Sequence, residues 1–247
     1  MKLDHYATLS KLFNYPNDNY KTFVKEAVCA LAKEYPEANE ELEKFFKLLP
    51  ATTKEIQELY TRSFEVQAVT SLEIGYVLYG DDYTRGEVLV RLNQEHKNVN
   101  NDLGEELSDH LANVLRLIPK MQDKDLRDDL VRLMLAPAIE IMMNEYSVES
   151  MEQKDKLYKK QYKTLIASSF PLGLFLHLFK ALYIVLDSDF SLIKENRPFE
   201  DASFLGFLKH ELEVEEGKHS SNSCNTIFNN CGINSSNNSF KGLNKLN

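Results

Sequence analysis

Residues 165–186 read LIASSFPLGLFLHLFKALYIVL, the one stretch of the chain apolar enough to be tested as a membrane span. Pro171, His177 and Lys180 interrupt it. A lysine near the middle of a bilayer costs about 2.5 to 3.5 kcal/mol on insertion scales, which argues against spanning. Leu172, Phe175, Leu176, Phe179, Leu182, Tyr183 and Leu186 instead recur at i, i+3, i+4, the spacing of a helix that faces the core of a bundle.

The same period recurs upstream. Leu126, Leu130, Leu133, Met134, Ala138, Ile141 and Met142 carry it across Pro137, which is expected to start a new helix or kink this one. Leu107, Leu111, Val114, Leu115 and Ile118 share a face, with Ser108 or Asp109 placed to cap the first turn. Thr84 with Glu87, after Asp81-Asp82, signals a helix start with Val88, Leu89 and Leu92 inward, ended by the polar stretch Asn98 to Gly104. Thr52 with Glu55 forms a second capping box, followed by the stripe Ile56, Leu59, Tyr60 and Phe64. Pro16, Pro36 and Pro50 divide the first fifty residues into short helices. Alternating β-branched runs are nearly absent, so the expected fold is all-α, a single helical bundle of roughly eight to eleven helices.

From Gly217 onward Ser and Asn dominate, as in Ser220-Ser221-Asn222-Ser223 and 234–239, leaving too little apolar side chain to offset ordering. The expected division is a helical domain over 1–212 and an Asn/Ser-rich disordered tail over 213–247. A chain of 247 residues is long enough for a substantial core. Its 29 basic and 38 acidic residues leave a net charge of -9, which disfavours a nucleic-acid partner. Three cysteines, Cys29 in an expected helix and Cys224 and Cys231 in the tail, form no disulfide framework and fit a reducing compartment. The tail pair lacks Cys-x-x-Cys spacing and a nearby histidine cluster, so no metal site is assigned. Met1-Lys2-Leu3-Asp4-His5-Tyr6 has no apolar signal region, and the expected compartment is the cytoplasm.

No Gly-x-Ser-x-Gly elbow, His-Glu-x-x-His helix, phosphate loop or dinucleotide fingerprint occurs, and the histidines show no ligand pairing; an enzyme is not expected. Between Glu65 and Asp109, ten carboxylates stand against Arg85, Arg91 and Lys97, or -7 of the total -9. That window either steers a basic peptide or is simply a solvated helix face.

Within it, Phe64-Glu65, then Leu72 through Gly80-Asp81, then Arg85-Gly86-Glu87 resemble the signature of the nitrate reductase molybdenum-cofactor assembly chaperones, the delta or NarJ-type family of the TorD-like group. Glu106-Leu107-Ser108-Asp109-His110-Leu111 follows and resembles that family's Glu-x-Pro-Asp-His-Leu motif, with Ser108 in place of proline. Leu12-Phe13-Asn14-Tyr15-Pro16 is similar to its Leu-x-x-Tyr-Pro opening, so the likeness extends from Leu9 to Leu186; the tail has no counterpart. The resemblance implies an all-α chaperone that binds the N-terminal segment of a molybdoenzyme catalytic subunit. It holds that subunit in the cytoplasm until iron-sulfur clusters and the molybdenum cofactor are inserted. The client-binding residues so implied are Glu65, Tyr76, Asp81, Arg85, Gly86, Glu106, Asp109 and His110, with no cofactor of the chaperone's own. Which enzyme is the client, whether the cofactor is touched, and whether the chaperone is a monomer or homodimer stay open.

Each of these residues also has a structural reading. Gly80 and Gly86 permit tight turns, Asp81 caps a helix, Arg85 pairs with Asp82 or Glu87, His110 is a core histidine, and Tyr76 and Tyr79 divide between core and groove wall. Two other functions compete: a small helical enzyme using Asp109 and His110 as an acid-base pair, and a membrane adaptor built on the Leu165 to Leu186 helix.

Overall fold

The computed structural model describes residues 3–166, 168 and 170–192. The expected tail, with Cys224 and Cys231, lies outside them. Among the described residues the elements are helical: α1 (His5–Ser10), α2 (Tyr20–Leu31), α3 (Pro36–Leu48), α4 (Thr53–Phe64), α5 (Ile74–Tyr79), α6 (Tyr83–Asn98), α7 (Leu111–Leu117), α8 (Lys124–Asp129), α9 (Ala136–Asn144), α10 (Val148–Tyr162) and α11 (Leu174–Phe190). The all-α expectation holds.

Helix α11 is the axis of the core. It starts only after Pro171 and Gly173, so the apolar stretch is cut near its middle, and no described helix is long and apolar enough to cross a membrane. Phe175 and Phe179, one turn apart, collect rings from four segments. Phe175 meets Phe45 of α3 at 5.6 Å and Phe64 of α4 at 4.7 Å; Phe179 meets Phe13 at 5.6 Å and Tyr146 at 5.9 Å. Such tilted and edge-on pairs each add about 0.5 to 1.5 kcal/mol beyond area burial. One apolar cluster runs from Leu3 to Phe190.

The chain's described ends are tied by Asp189. Its Oδ2 accepts from the Tyr6 hydroxyl at 2.9 Å and lies 2.9 Å from His5 Nε2, while its Oδ1 accepts from the Tyr35 hydroxyl at 2.7 Å. Burial alone pushes Asp189 upward, yet the His5, Tyr35 and Tyr6 contacts prevail and hold it below the ordinary aspartate range.

Local signals differ in outcome. The Thr52–Glu55 capping box forms in both directions, and Pro36 sits in the first turn of α3. At α6, however, Asp82 rather than Thr84 is the cap, its side chain accepting from the Thr84 amide at 2.8 Å. At α7 the cap is His110, not Ser108 or Asp109. Leu107, Leu126 and Leu133, expected inward, are exposed. Pro137 falls in the first turn of α9, which continues from α8 through a π-helical stretch, Leu130–Leu135, with helical dihedrals at both junctions. The wider turn gives the proline ring room that an α-helix lacks at the i−4 carbonyl.

Candidate functional site

The site is built on the segment between α4 and α5. Four successive carbonyls there are each caught by a buried side chain. Arg62 donates to Val66 O at 2.7 Å and to Gln67 O, the Tyr158 hydroxyl donates to Ala68 O at 2.8 Å, and Lys154 donates to Val69 O. Lys154 also pairs with buried Glu145. Gln67 takes a φ of +47°, and its amide group is fastened to Thr164 O and Ile166 N at 3.0 and 2.9 Å. An irregular segment is thereby fixed without a strand ladder.

Its continuation forms a single antiparallel bridge, Glu73 with His110. The Ile74 amide donates to Asp109 O at 3.0 Å and the Leu111 amide to Leu72 O at 2.8 Å. Ser108 is held from α6 on both sides: its hydroxyl donates to Leu89 O at 3.1 Å, and its carbonyl lies 3.0 Å from His96 Nε2. Ser108 thus uses a hydroxyl that a proline at this position would lack.

Asp109 is fully buried. The Arg85 Nε–H donates to its Oδ2 at 3.3 Å, Arg85 Nη1 stands 4.0 Å from Asp81, and the guanidinium carbon lies 5.1 Å over the Tyr76 ring. Arg85 therefore pairs with Asp109 and Asp81, not with Asp82 or Glu87. A Cβ at Gly75 would meet Asp109 Oδ2 at 2.7 Å, so any other residue where α5 passes the carboxylate forces the buried Asp109 side chain to shift. Burial pushes Asp109 above the ordinary aspartate range; Arg85 pulls against this and the Glu73 charge adds to it.

His110 caps α7, its Nδ1 accepting from the Ala112 amide at 3.3 Å. Burial drives the imidazole down to about 4, against the pull of Glu73 and with a smaller push from Arg116. It is neutral at pH 7.

Glu65 and Glu106 reach the same rim, with Glu73 and Glu105 beside them. Burial first, then the charges of Glu73, Glu65 and Glu105, lift the Glu106 carboxyl above its usual value. Among the described residues no cation pairs with Glu65, Glu73 or Glu106, and exposed Val66 and Leu107 flank them. A cavity of about 270 Å³ is lined by Lys11, Asn14, Tyr15, Asn17, Tyr20 and Phe23, and its Tyr15 stands edge-on to Tyr60 at 5.4 Å. The Tyr60 hydroxyl is raised by burial first, then by Tyr20, Glu106, Glu65 and Glu73.

Of the eight sequence-derived residues, Tyr76, Asp81, Arg85 and Asp109 form a buried-to-exposed polar cluster, Glu65 and Glu106 form the acidic rim, His110 caps α7, and Gly86 follows Arg85 on α6 with no neighbour at its Cβ position. Glu73, whose charge acts on Asp109, His110 and Glu106, joins them. Gly80 ends α5 at a φ of +60°, a structural use, and Asp81 caps nothing. Gly86 lies inside α6 with open space where a Cβ would stand, so no turn explains it. Glu73 and Gly75 escaped the sequence reading; Gly75 carries a signal, a glycine inside an otherwise apolar helix start, that points to close approach. Among the described residues no group of three or more His, Cys, Asp or Glu is placed to hold a metal ion. No protein-family model matches the chain, and neither does any curated protein.

Proposed function

We propose that the chain is a cytoplasmic maturation chaperone for a molybdenum enzyme of the nitrate reductase or nitrite oxidoreductase type. It binds the N-terminal segment of the catalytic subunit and holds that subunit for cofactor insertion, without turnover of its own. The observation that carries this reading is the rim of Glu65, Glu73, Glu105 and Glu106, without an ion-pair partner among the described residues, with exposed Val66 and Leu107 among them. A basic, partly apolar peptide helix lays its apolar side on such a surface, while the carboxylates set its orientation and speed encounter. The sequence motifs supply the client class.

The test is titration calorimetry with a synthetic peptide copying the N-terminus of the molybdoenzyme catalytic subunit of the same cell. Binding at about micromolar affinity or tighter is expected at low salt, weakening as salt is added and in an E65Q/E73Q/E106Q variant. Absence of heat at low salt, with no competition by the peptide, removes the proposal.

A second reading, a small helical enzyme using Asp109 and His110, draws on the opposed displacement of their protonation equilibria. Against it, Asp109 is engaged by Arg85 and His110 by the Ala112 amide. Turnover of any substrate that Asp109→Asn abolishes would establish it.

A further inference from the structure

We infer that the cluster of Asp109, Tyr76 and Asp81 is a guanidinium-binding site, filled in the free protein by Arg85 and handed over to an arginine of the bound partner. The inference deepens the client-binding reading and rests on it for the partner, but not for the chemistry of the site.

The arrangement suits a planar, delocalised cation. A guanidinium over the Tyr76 face, with one carboxylate at 3.3 Å and another at 4.0 Å on its edge, uses stacking and directional N–H groups together; an ammonium has neither the plane nor the fork. The resident arginine fills the site incompletely. Of its N–H groups the Nε–H reaches Asp109, on Oδ2, while among the described residues Oδ1 is buried with no hydrogen-bond partner from another residue. A buried carboxylate oxygen left without a donor is costly, and the strong way to satisfy a carboxylate is the two-pronged approach of a guanidinium edge. Arg85 enters along α6 through its Nε and does not make that approach; an arginine arriving from the partner makes it with two N–H groups at once.

The exit is available. The Arg85 side chain is 17% exposed, so the cluster opens to solvent on the arginine's side and the exchange takes place there. The next residue, Gly86, leaves bare helix surface with nothing within 4 Å of its Cβ position, on the face of α6 adjacent in sequence to Arg85. Glu73, which acts electrostatically on Asp109, links the cluster to the acidic rim that draws a cationic segment in. Arg85 is thus a resident competitor that keeps Asp109 neutralised until a partner arrives, and its release gives the exchange its threshold.

The experiment is chemical rescue. Arg85→Ala, and separately Arg85→Met, which retains apolar cover on Tyr76, are followed by circular dichroism on heating, with and without ethylguanidinium. A rise of a few degrees in Tm is expected in both variants, with none in the wild type, none with ethylammonium, and none after Asp109→Asn is added. If a variant is unfolded at the start, return of its helical signal with ethylguanidinium alone is the expected result. In parallel, R85A binds an arginine-bearing peptide roughly tenfold more tightly than the wild type does, and gains nothing for the same peptide with lysine. No rescue in either variant, or equal rescue by ethylammonium, overturns the inference. Such a failure leaves the chaperone reading standing, because wild-type calorimetry tests that reading separately.

Discussion

Acidification from pH 7.5 to 5 should weaken the fold through His110, and the structure sets the size of the effect. The imidazole is buried, and its Nδ1 accepts the Ala112 amide, so protonation at that nitrogen both charges a dry site and breaks the cap of α7. The folded group is held near 4 against an ordinary 6.5. The unfolded chain therefore binds the proton that the folded one refuses. Stability is present above about pH 6.5 and is lost as pH falls toward about 4, which by linkage amounts to about 2 kcal/mol between pH 7.5 and 5. Urea unfolding at the two pH values measures it. Comparison with His110→Asn isolates it, because asparagine is among the best N-caps and does not titrate. His96, also lowered, chiefly by burial, contributes equally to both proteins and cancels. If wild type and variant lose the same stability to within about 0.5 kcal/mol, the assignment of His110 as a buried neutral cap is wrong.

Gly75→Ala should destabilise by about 1 to 3 kcal/mol in thermal unfolding, since its Cβ meets Asp109 Oδ2 at 2.7 Å; an unchanged Tm would show that the approach is slack. Gly86→Ala should do the reverse, gaining about 0.5 to 1 kcal/mol from an open helix position while weakening peptide binding in the same preparation. Lys154→Met strands Glu145 in the interior and should cost about 3 to 5 kcal/mol in urea titration; a loss below about 1 kcal/mol refutes the buried pair. Asp189 is held below the ordinary aspartate range, so its contribution is present at neutral pH and lost as pH falls through and below about 4. Asp189→Asn should therefore lower the Tm at pH 7 and flatten the acid limb of the Tm profile.

What the sequence made legible was local. The α11 stripe, the Thr52–Glu55 box and Pro36 are local signals; the box and Pro36 form where expected, and of the stripe Phe175, Phe179, Leu182 and Leu186 are buried while Leu172 precedes the helix and Leu176 and Tyr183 are half-buried. Caps were legible only as neighbourhoods. Asp82 and Thr84 compete within three residues, as do Ser108, Asp109 and His110, and which side chain turns back on the helix is decided by what holds the others. Ser108 is occupied by Leu89 and His96, and Asp109 by Arg85, which leaves His110. The partners themselves were not legible. Arg85 finds Asp109 across 24 positions and Lys154 finds Val69 across 85, separations fixed by helix packing rather than by period. Pro137 was legible as a helix-start residue, whereas the π-helical stretch ahead of it rests on the surrounding core and was not.

The polar interior beneath the site then has a physical rationale. Burying Arg62, Lys154 and Glu145 is a poor way to gain stability, since apolar residues of similar volume commonly do as well or better. Apolar contacts are non-directional, however, and tolerate sliding, whereas donors on four successive carbonyls fix an irregular segment in place. That segment leads through the Glu73–His110 bridge to Gly75, whose backbone stands against the Asp109 carboxylate. The position of Asp109, and with it the arginine exchange, therefore depends on α10, which supplies Lys154 and Tyr158 from the far side of the segment. Variants of α10 that remain folded should alter binding at the acidic rim even though Lys154 and Tyr158 are spent on Val69 and Ala68.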